Sequence, residues 1–267
     1  MINAPTLMSL VNASSGYSAT RWQKASFPAK FHSKIEVHFD GIDTELYRPG
    51  PAPNQIAGRS IPSGTKVVTF VSRGLESIRG FDIFMEVATR IAQVRSDVLF
   101  VVVGGESTYY GWDTLHTGRS SFKNWVIERL GTRFDPARFL FLGQIEPEAL
   151  ANIFRVSDLH LYLTVPFVLS WSLLNAMASG CVVLASDVAP VREVISSRVH
   201  GILEPLFDVD RLTEAALAVL DNPADFAPLG RAARDRISEL YSLEIAIPAL
   251  KDYYERAAQG PSSSGIF

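Results

Sequence analysis

A chain of 267 residues with 47% hydrophobic and 20% charged side chains carries enough apolar material for one large or two small packed domains, which excludes disorder over most of its length. A formal net charge of −3, with Lys and Arg scattered rather than clustered, leaves no electrostatic footprint for nucleic acid. No apolar stretch approaches the ~20 residues that span a bilayer, since the strongest run, Val98 to Val103, stops at Gly104-Gly105.

From the amino terminus, Met1-Ile2-Asn3-Ala4-Pro5 lacks a positive n-region and reads as mature sequence rather than a leader. Gly16 to Thr20 and Lys34 to His38 are expected as short strands around a helix near Trp22 to Ser26. Pro49-Gly50-Pro51-Ala52-Pro53 is the clearest linker, because three prolines in five positions continue neither helix nor sheet. Beyond it β-branched runs alternate with amphipathic segments, the pattern of a parallel sheet with crossover helices.

Lys66 to Val71 begins this series, and Phe81 to Val94 follows with Phe84, Val87, Ala88 and Ile91 in helical spacing. Val98 to Val103 is nearly continuous in apolar character and suits a strand covered on both faces. Glu106 to Ser120, rich in Gly, Ser, Thr and Tyr, reads as a functional loop before a helix around Trp125 to Leu130. Strands are then expected at Arg138 to Leu142, Leu159 to Leu163, Cys181 to Ala185 and Gly201 to Leu203. The helices between them are Glu146 to Phe154, opened by Pro147, and Ser170 to Ala178, ended by Gly180. Helices near Asp208, from Arg211 to Leu220, from Leu229 to Leu240 and from Leu243 to Ala257 complete the chain. The tail after Gln259 is low in complexity and expected to be disordered.

Ligands of open parallel sheets bind beyond the carboxyl ends of the strands, so the residues that follow each strand matter most. Here they are Ser72-Arg73-Gly74-Leu75-Glu76-Ser77-Ile78-Arg79-Gly80, Gly104-Gly105-Glu106, Gly143-Gln144, Thr164-Val165-Pro166-Phe167 and Ser186-Asp187-Val188-Ala189-Pro190. Two arginines in a glycine-flanked loop can offer forked donors and fixed charge to a diphosphate, and Gly74, Gly80, Gly104 and Gly105 would let backbone amides come close. The other reading of the same residues is tight βα turns with solvated arginines. Tyr109, Tyr110 and Trp112 can stack on a sugar or base, or dock a partner.

The order Ser72-Arg73-Gly74, Arg79-Gly80-Phe81-Asp82, Val103-Gly104-Gly105, Phe141-Leu142-Gly143 and Ser170-Trp171-Ser172-Leu173-Leu174-Asn175-Ala176-Met177-Ala178-Ser179-Gly180 resembles the carboxyl-terminal domain of retaining GT-B glycosyltransferases of family 4, group 1. Asp187 to Ile195, with Arg192-Glu193-Val194-Ile195, continues the match, as do Ser18 to Gln23 and Phe39-Asp40-Gly41-Ile42-Asp43 near the front. The resemblance implies an α/β fold, a Rossmann-like parallel sheet flanked by helices. Residues 1–50 would be a remnant of the acceptor domain, 51–240 the nucleotide-sugar-binding domain and 241–258 a crossing helix, with 259–267 as tail.

It also implies glycosyl transfer from a nucleotide diphosphate sugar to a saccharide or lipid-linked acceptor, in the cytoplasm or peripheral to the inner membrane, without a further cofactor. Arg73 matches the family arginine at the donor diphosphate, and Arg79 stands where lysine is usual. Gly74, Gly104, Gly105, Gly143, Ser170, Asn175 and Glu193 would position the nucleotide sugar. Asn175 replaces the glutamate expected on the ribose, and Phe167, eight positions earlier, replaces the other glutamate of the pair. An amide can still hold a hydroxyl, whereas a phenyl ring cannot stand in for a carboxylate near developing positive charge. The alternative is a weakly active or inactive nucleotide-sugar-binding or assembly module that needs a partner domain or self-associates. A GT-B epimerase or phosphorylase is a third reading, without a cofactor-anchoring lysine to support it.

Other signals carry less. Asp208-Val209-Asp210 has a metal-binding form but opens a helix, where aspartate caps free N–H groups, and the five histidines lack ligand spacing. No G-x-G-x-x-G follows a strand, against a dinucleotide site. Trp171 is read as a core aromatic ahead of a ligand contact, His160 as a packed or cross-strand residue and Cys181 as a buried thiol in a reducing compartment.

Overall fold

The computed structural model describes residues 4–259, and the expectation for the tail from Gly260 lies outside them, as does that for Met1 to Asn3. The chain opens with α1 (Ala4–Asn12), β1 (Gly16–Ser18), α2 (Arg21–Ala25) and β2 (Ile35–Val37), followed by a two-residue hairpin of β3 (Gln55–Ile56) and β4 (Arg59–Ser60). Then come β5 (Lys66–Gly74), α3 (Phe81–Val94), β6 (Val98–Gly105), α4 (Asp113–Thr117), α5 (Phe122–Leu130) and β7 (Phe139–Gly143). The second half runs α6 (Pro147–Val156), β8 (Leu159–Tyr162), α7 (Trp171–Ala178), β9 (Val183–Ser186), α8 (Ala189–Arg192), β10 (Ile202–Glu204), α9 (Val209–Asp221), α10 (Pro223–Leu240) and α11 (Leu243–Ala258).

Six strands form one parallel sheet in the order β10-β9-β8-β5-β6-β7. Alternate residues of each strand serve opposite layers, as the pleat requires. Val67 and Val71 of β5, with Leu99, Val101 and Val103 of β6, meet Phe154 of α6, Leu173 and Met177 of α7 and Ile237 of α10. Val68 and Phe70, with Phe100 and Val102, meet Phe84, Val87 and Ile91 of α3, Val126 of α5 and Leu212 of α9. All residues of β6 from Val98 to Val103 are buried, as their unbroken apolar run requires of a strand covered on both faces.

Helix boundaries follow local chemistry. Ser121 accepts the Asn124 N–H at 3.3 Å and opens α5 three residues before the expected start at Trp125. Asp208 accepts the Arg211 N–H at 3.0 Å, so the first aspartate of the D-x-D sequence is a helix cap, while Asp210 pairs with Arg90. Pro147 occupies the first turn of α6. The sequence reading missed α1, the hairpin, α4 and α8. No residue of α1 is buried, so no core imposes its pattern, and Ala57 and Gly58 form the hairpin turn with φ of 47° and 79°.

The front segment carries its own two-stranded sheet, while its Phe39, Ile42 and Tyr47 join the core that covers one face of the main sheet. β1 and β2 pair in parallel, and α11 returns to them, with Tyr253 and Tyr254 packed 5.5 and 6.2 Å from the Tyr17 ring and Arg256 bonded to Glu36 at 2.8 Å. The proline-rich linker has no regular structure but is stapled at its start, where Arg155 donates to the Leu46 and Arg48 carbonyls at 3.0 and 3.2 Å.

His160 and Cys181 are buried as expected. His160 faces Thr69 on the neighbouring strand, with Nδ1 2.9 Å from the hydroxyl, and burial pushes its pKa from 6.5 down to about 3. The folded chain keeps the ring neutral while the unfolded chain binds a proton below about pH 6.5, so this contribution is intact above that pH and is lost as pH falls toward 3. The His160→Gln variant is expected to lose less stability than the parent between about pH 7 and pH 4.5, read as the shift in urea midpoint.

Candidate functional site

β5 and β8 are neighbours whose chains then move apart, β5 leading outward to β6 and β7 and β8 leading the other way to β9 and β10. Loops leaving their carboxyl ends diverge, and a crevice opens between them. A cleft of about 380 Å³ fills this place, lined by Arg73, Arg79, Tyr110, Phe167, Ser170 and Trp171, with Phe39 and Asp40 of the front segment on its far side. The two arginines of the first loop thus reach one cleft, together with the loop after β8 and the start of α7.

Their side chains pack against a group of aromatic rings. The Arg73 guanidinium lies 4.5 Å from the Tyr109 ring and 5.9 Å from that of Tyr110. Arg79 lies 5.6 Å from Tyr110 and 4.7 Å from Phe167, and the Tyr110 and Phe167 rings are 5.3 Å apart. Arg73 donates to the Tyr110 hydroxyl at 3.2 Å and Arg79 to the Val168 carbonyl at 3.3 Å. Guanidinium donors point outward in the plane of the group, so stacking through the faces leaves most of them free for a ligand.

Ser170 caps α7, its hydroxyl accepting the Ser172 N–H at 3.3 Å, and its own N–H donates to the Tyr162 hydroxyl at 3.2 Å. Burial raises the Tyr162 pKa, which keeps this phenol neutral. Trp171 is not a core aromatic: it is 59% exposed, and its indole N–H donates to Asp40 at 3.2 Å across the cleft mouth. Asn175 lies one turn further along α7, 8% exposed, and is not among the residues lining the cleft.

The remaining candidates sit at varying distances from this point. A side chain on Gly74 would meet the Ser107 carbonyl at 2.7 Å, and one on Gly104 the Ser72 carbonyl at 2.6 Å, so both glycines allow the carboxyl ends of β5 and β6 to approach closely where their register shifts. Gly105 pairs with Gly74 across the two strands, while Gly143 ends the edge strand β7, two strands from β5. Glu193 lines a second cavity of about 350 Å³. Its carboxylate accepts the Arg21 and Trp22 N–H groups at 2.9 and 2.6 Å, capping α2 of the front segment.

Two acidic residues absent from the sequence-based site hold the loops together. Glu76 is fully buried and accepts the N–H groups of Tyr109, Tyr110 and Gly111 at 2.9, 2.9 and 2.6 Å. Asp113, 4% exposed, accepts the Ser77 N–H at 2.9 Å and its hydroxyl. The only sequence signal for Glu76 is a carboxylate between two arginines in an otherwise neutral loop. Among the described residues no group of three His, Cys, Asp or Glu side chains could hold a metal ion, and no helix is long and apolar enough to cross a membrane.

A doubly wound six-stranded parallel sheet, with its cleft at the strand-order reversal and a last helix returning to a small front unit, is the carboxyl-terminal half of a GT-B fold. Residues 65–222 match the glycosyl transferases group 1 family and residues 1–47 the glycosyl transferase family 4 group. The chain belongs to the group 1 glycosyltransferases.

The D-inositol 3-phosphate glycosyltransferases of Rhodococcus erythropolis and Mycobacterium avium are 29% and 28% identical over 85% and 84% of the chain. The chain spans about half the length of these curated relatives, 49% and 50%. Among solved structures, Anabaena HepE with UDP and glucose superposes with a TM-score of 0.78 at 16% identity, over 96% of this chain and 66% of that one. Sucrose-phosphate synthase of Thermosynechococcus elongatus gives 0.75 at 20% identity, over 94% and 60%. The likeness to these structures is one of fold.

Gly104→Ala is expected to cost about 2–3 kcal/mol, because the Ser72 carbonyl is backbone and cannot turn aside. Gly16→Ala, with nothing within 4 Å of the added carbon, should stay within about 0.5 kcal/mol of the parent. Chemical denaturation of the two variants separates these outcomes.

Proposed function

We propose that the chain is the donor-binding half of a glycosyltransferase that moves a sugar, with retention, from a nucleotide diphosphate sugar to a saccharide or lipid-linked acceptor. The observation that carries this reading is the convergence of Arg73 and Arg79 in one cleft at the divergence of β5 and β8. It is supported by family membership and by HepE, a structural neighbour solved with UDP and glucose.

In the proposed reaction the acceptor oxygen bonds to the anomeric carbon as the bond from that carbon to the diphosphate breaks. The acceptor proton passes to the released diphosphate. Arg73 and Arg79 neutralise the charge that gathers on the leaving group, and the amino end of α7 at Ser170 adds its own positive field. Asn175 and the backbone around Gly104 and Gly105 are assigned to the nucleotide, and Glu193 contributes by fixing the front segment. Acceptor contacts are assigned to the half of the curated relatives that this chain does not align with. The setting of the proposed reaction is the cytoplasm and its product a surface polysaccharide or glycoconjugate, a placement supported by the lone buried thiol and the lipid-linked or saccharide acceptors of the reading.

One observation favours a weaker catalyst within the same reading. The position of a paired glutamate is filled by Phe167, whose ring is stacked on Arg79, and the cleft's one carboxylate, Asp40, is engaged by Trp171. The chain alone is therefore expected to bind a nucleotide sugar with little turnover, and a robust transfer rate from the purified chain would contradict this. Arg73→Ala should weaken UDP binding by about tenfold or more in a calorimetric titration, as for loss of a charge-assisted contact, and unchanged affinity would remove the site.

A further inference from the structure

The loop from Ser107 to Asp113 carries an arrangement that binding of a nucleotide diphosphate does not by itself require. A carboxylate with no exposed surface, Glu76, spends its hydrogen-bonding capacity on three consecutive backbone N–H groups of this loop, Tyr109 to Gly111. Burying a carboxylate is costly unless several donors replace its water, and here the donors come from one short segment. Asp113 repeats the device two residues on, accepting the Ser77 N–H at 2.9 Å. Both fasten the loop after β6 to the loop after β5.

What this fastening presents is the Tyr110 ring. It is shared by the two guanidinium groups, 5.9 Å from Arg73 and 5.6 Å from Arg79, with its hydroxyl accepting from Arg73 at 3.2 Å. Two like charges confined to one small cleft repel and would swing toward water, whereas an aromatic ring between them offers an electron-rich surface to both. Tyr109 and Phe167 give each guanidinium a second aromatic neighbour, at 4.5 Å from Arg73 and 4.7 Å from Arg79, and the Phe167 ring also lies 5.3 Å from that of Tyr110.

We propose that Tyr110 is a positioning residue, wedged between Arg73 and Arg79 so that both present in-plane donors to a diphosphate, and that Glu76 is the group that sets the wedge. This rests on the donor-site reading above. Tyr110 is 42% exposed, so its replacement leaves the core untouched.

The test is calorimetric titration of UDP into the full chain and into the variants Tyr110→Ala, Tyr110→Phe, Arg73→Ala, the double variant and Glu76→Gln. The parent should bind. Tyr110→Ala should weaken binding about tenfold, equivalent to about 1.4 kcal/mol. Tyr110→Phe, which keeps the ring and loses only the hydroxyl, should remain within about threefold. The double variant should fall well short of the product of the single losses, because Tyr110 acts in part through Arg73. Glu76→Gln should bind as weakly as Tyr110→Ala while the Tyr109 to Gly111 amides exchange hydrogen faster and the sheet amides do not.

Parent binding that Tyr110→Ala leaves unchanged, or single losses that simply multiply, would overturn the positioning role and leave the donor site standing. Absence of UDP binding by the parent would overturn the donor-site reading and the wedge with it. Should Glu76→Gln fail to fold, the Tyr110 series still decides the question.

Discussion

The cleft exists because two adjacent parallel strands send their chains in opposite directions. β5 and β8 share hydrogen bonds from Val68 to Phe70 and from Leu159 to Leu161, yet one is followed by a loop toward β6 and the other by a loop toward β9. At the neighbouring pairs β5–β6 and β8–β9 the connections that follow run in the same sense. At this divergence the fold leaves room above the strands, and there the residues after β5, β6 and β8 meet. Its stability comes from elsewhere, from apolar layers on both faces that hold the strand ends in register.

The chemistry placed at that opening is unusual in its balance. Two guanidinium groups face one carboxylate, Asp40, which the Trp171 indole already engages. The buried negative charges of the neighbourhood, Glu76 and Asp113, are turned inward to bind backbone. The cleft therefore keeps its positive character while the acidic residues set its walls. Phe167 fits the same logic: an aromatic face beside Arg79 steadies the cation where a carboxylate would have neutralised it. The arrangement favours holding an anion over promoting charge separation at a sugar ring.

Periodicity made the inner strands and their covering helices legible in the sequence, because those strands are buried on both faces while α3 and α9 bury one face. The runs at Lys66 to Val71 and Val98 to Val103 and the spacing of Phe84, Val87, Ala88 and Ile91 map directly onto β5, β6 and α3. Arg73 and Arg79 could be placed at the cleft from their position after a strand, and Ser170 from the family resemblance. The glycines carried a different meaning: Gly74 and Gly104 are needed where the ends of β5 and β6 come close, a contact between segments some thirty residues apart. Glu76 escaped for the same reason, since no local pattern ties a buried carboxylate to amides in another loop, and Tyr110, read as a ring for a sugar, base or partner, is found beside the two arginines. Trp171 was misplaced because tryptophan in an apolar helix suits a core, while here it faces outward to Asp40. Glu193 could not be resolved without the front segment, whose α2 it caps.

The most direct measurement of the central claim is a crystal structure of the chain with UDP. The account predicts diphosphate oxygens within hydrogen-bonding distance of both Arg73 and Arg79, above the carboxyl ends of β5 and β8, with Tyr110 still between the two side chains. A nucleotide bound instead in the neighbouring cavity of Arg21, Glu193 and Arg236, or a diphosphate touching neither arginine, would contradict it.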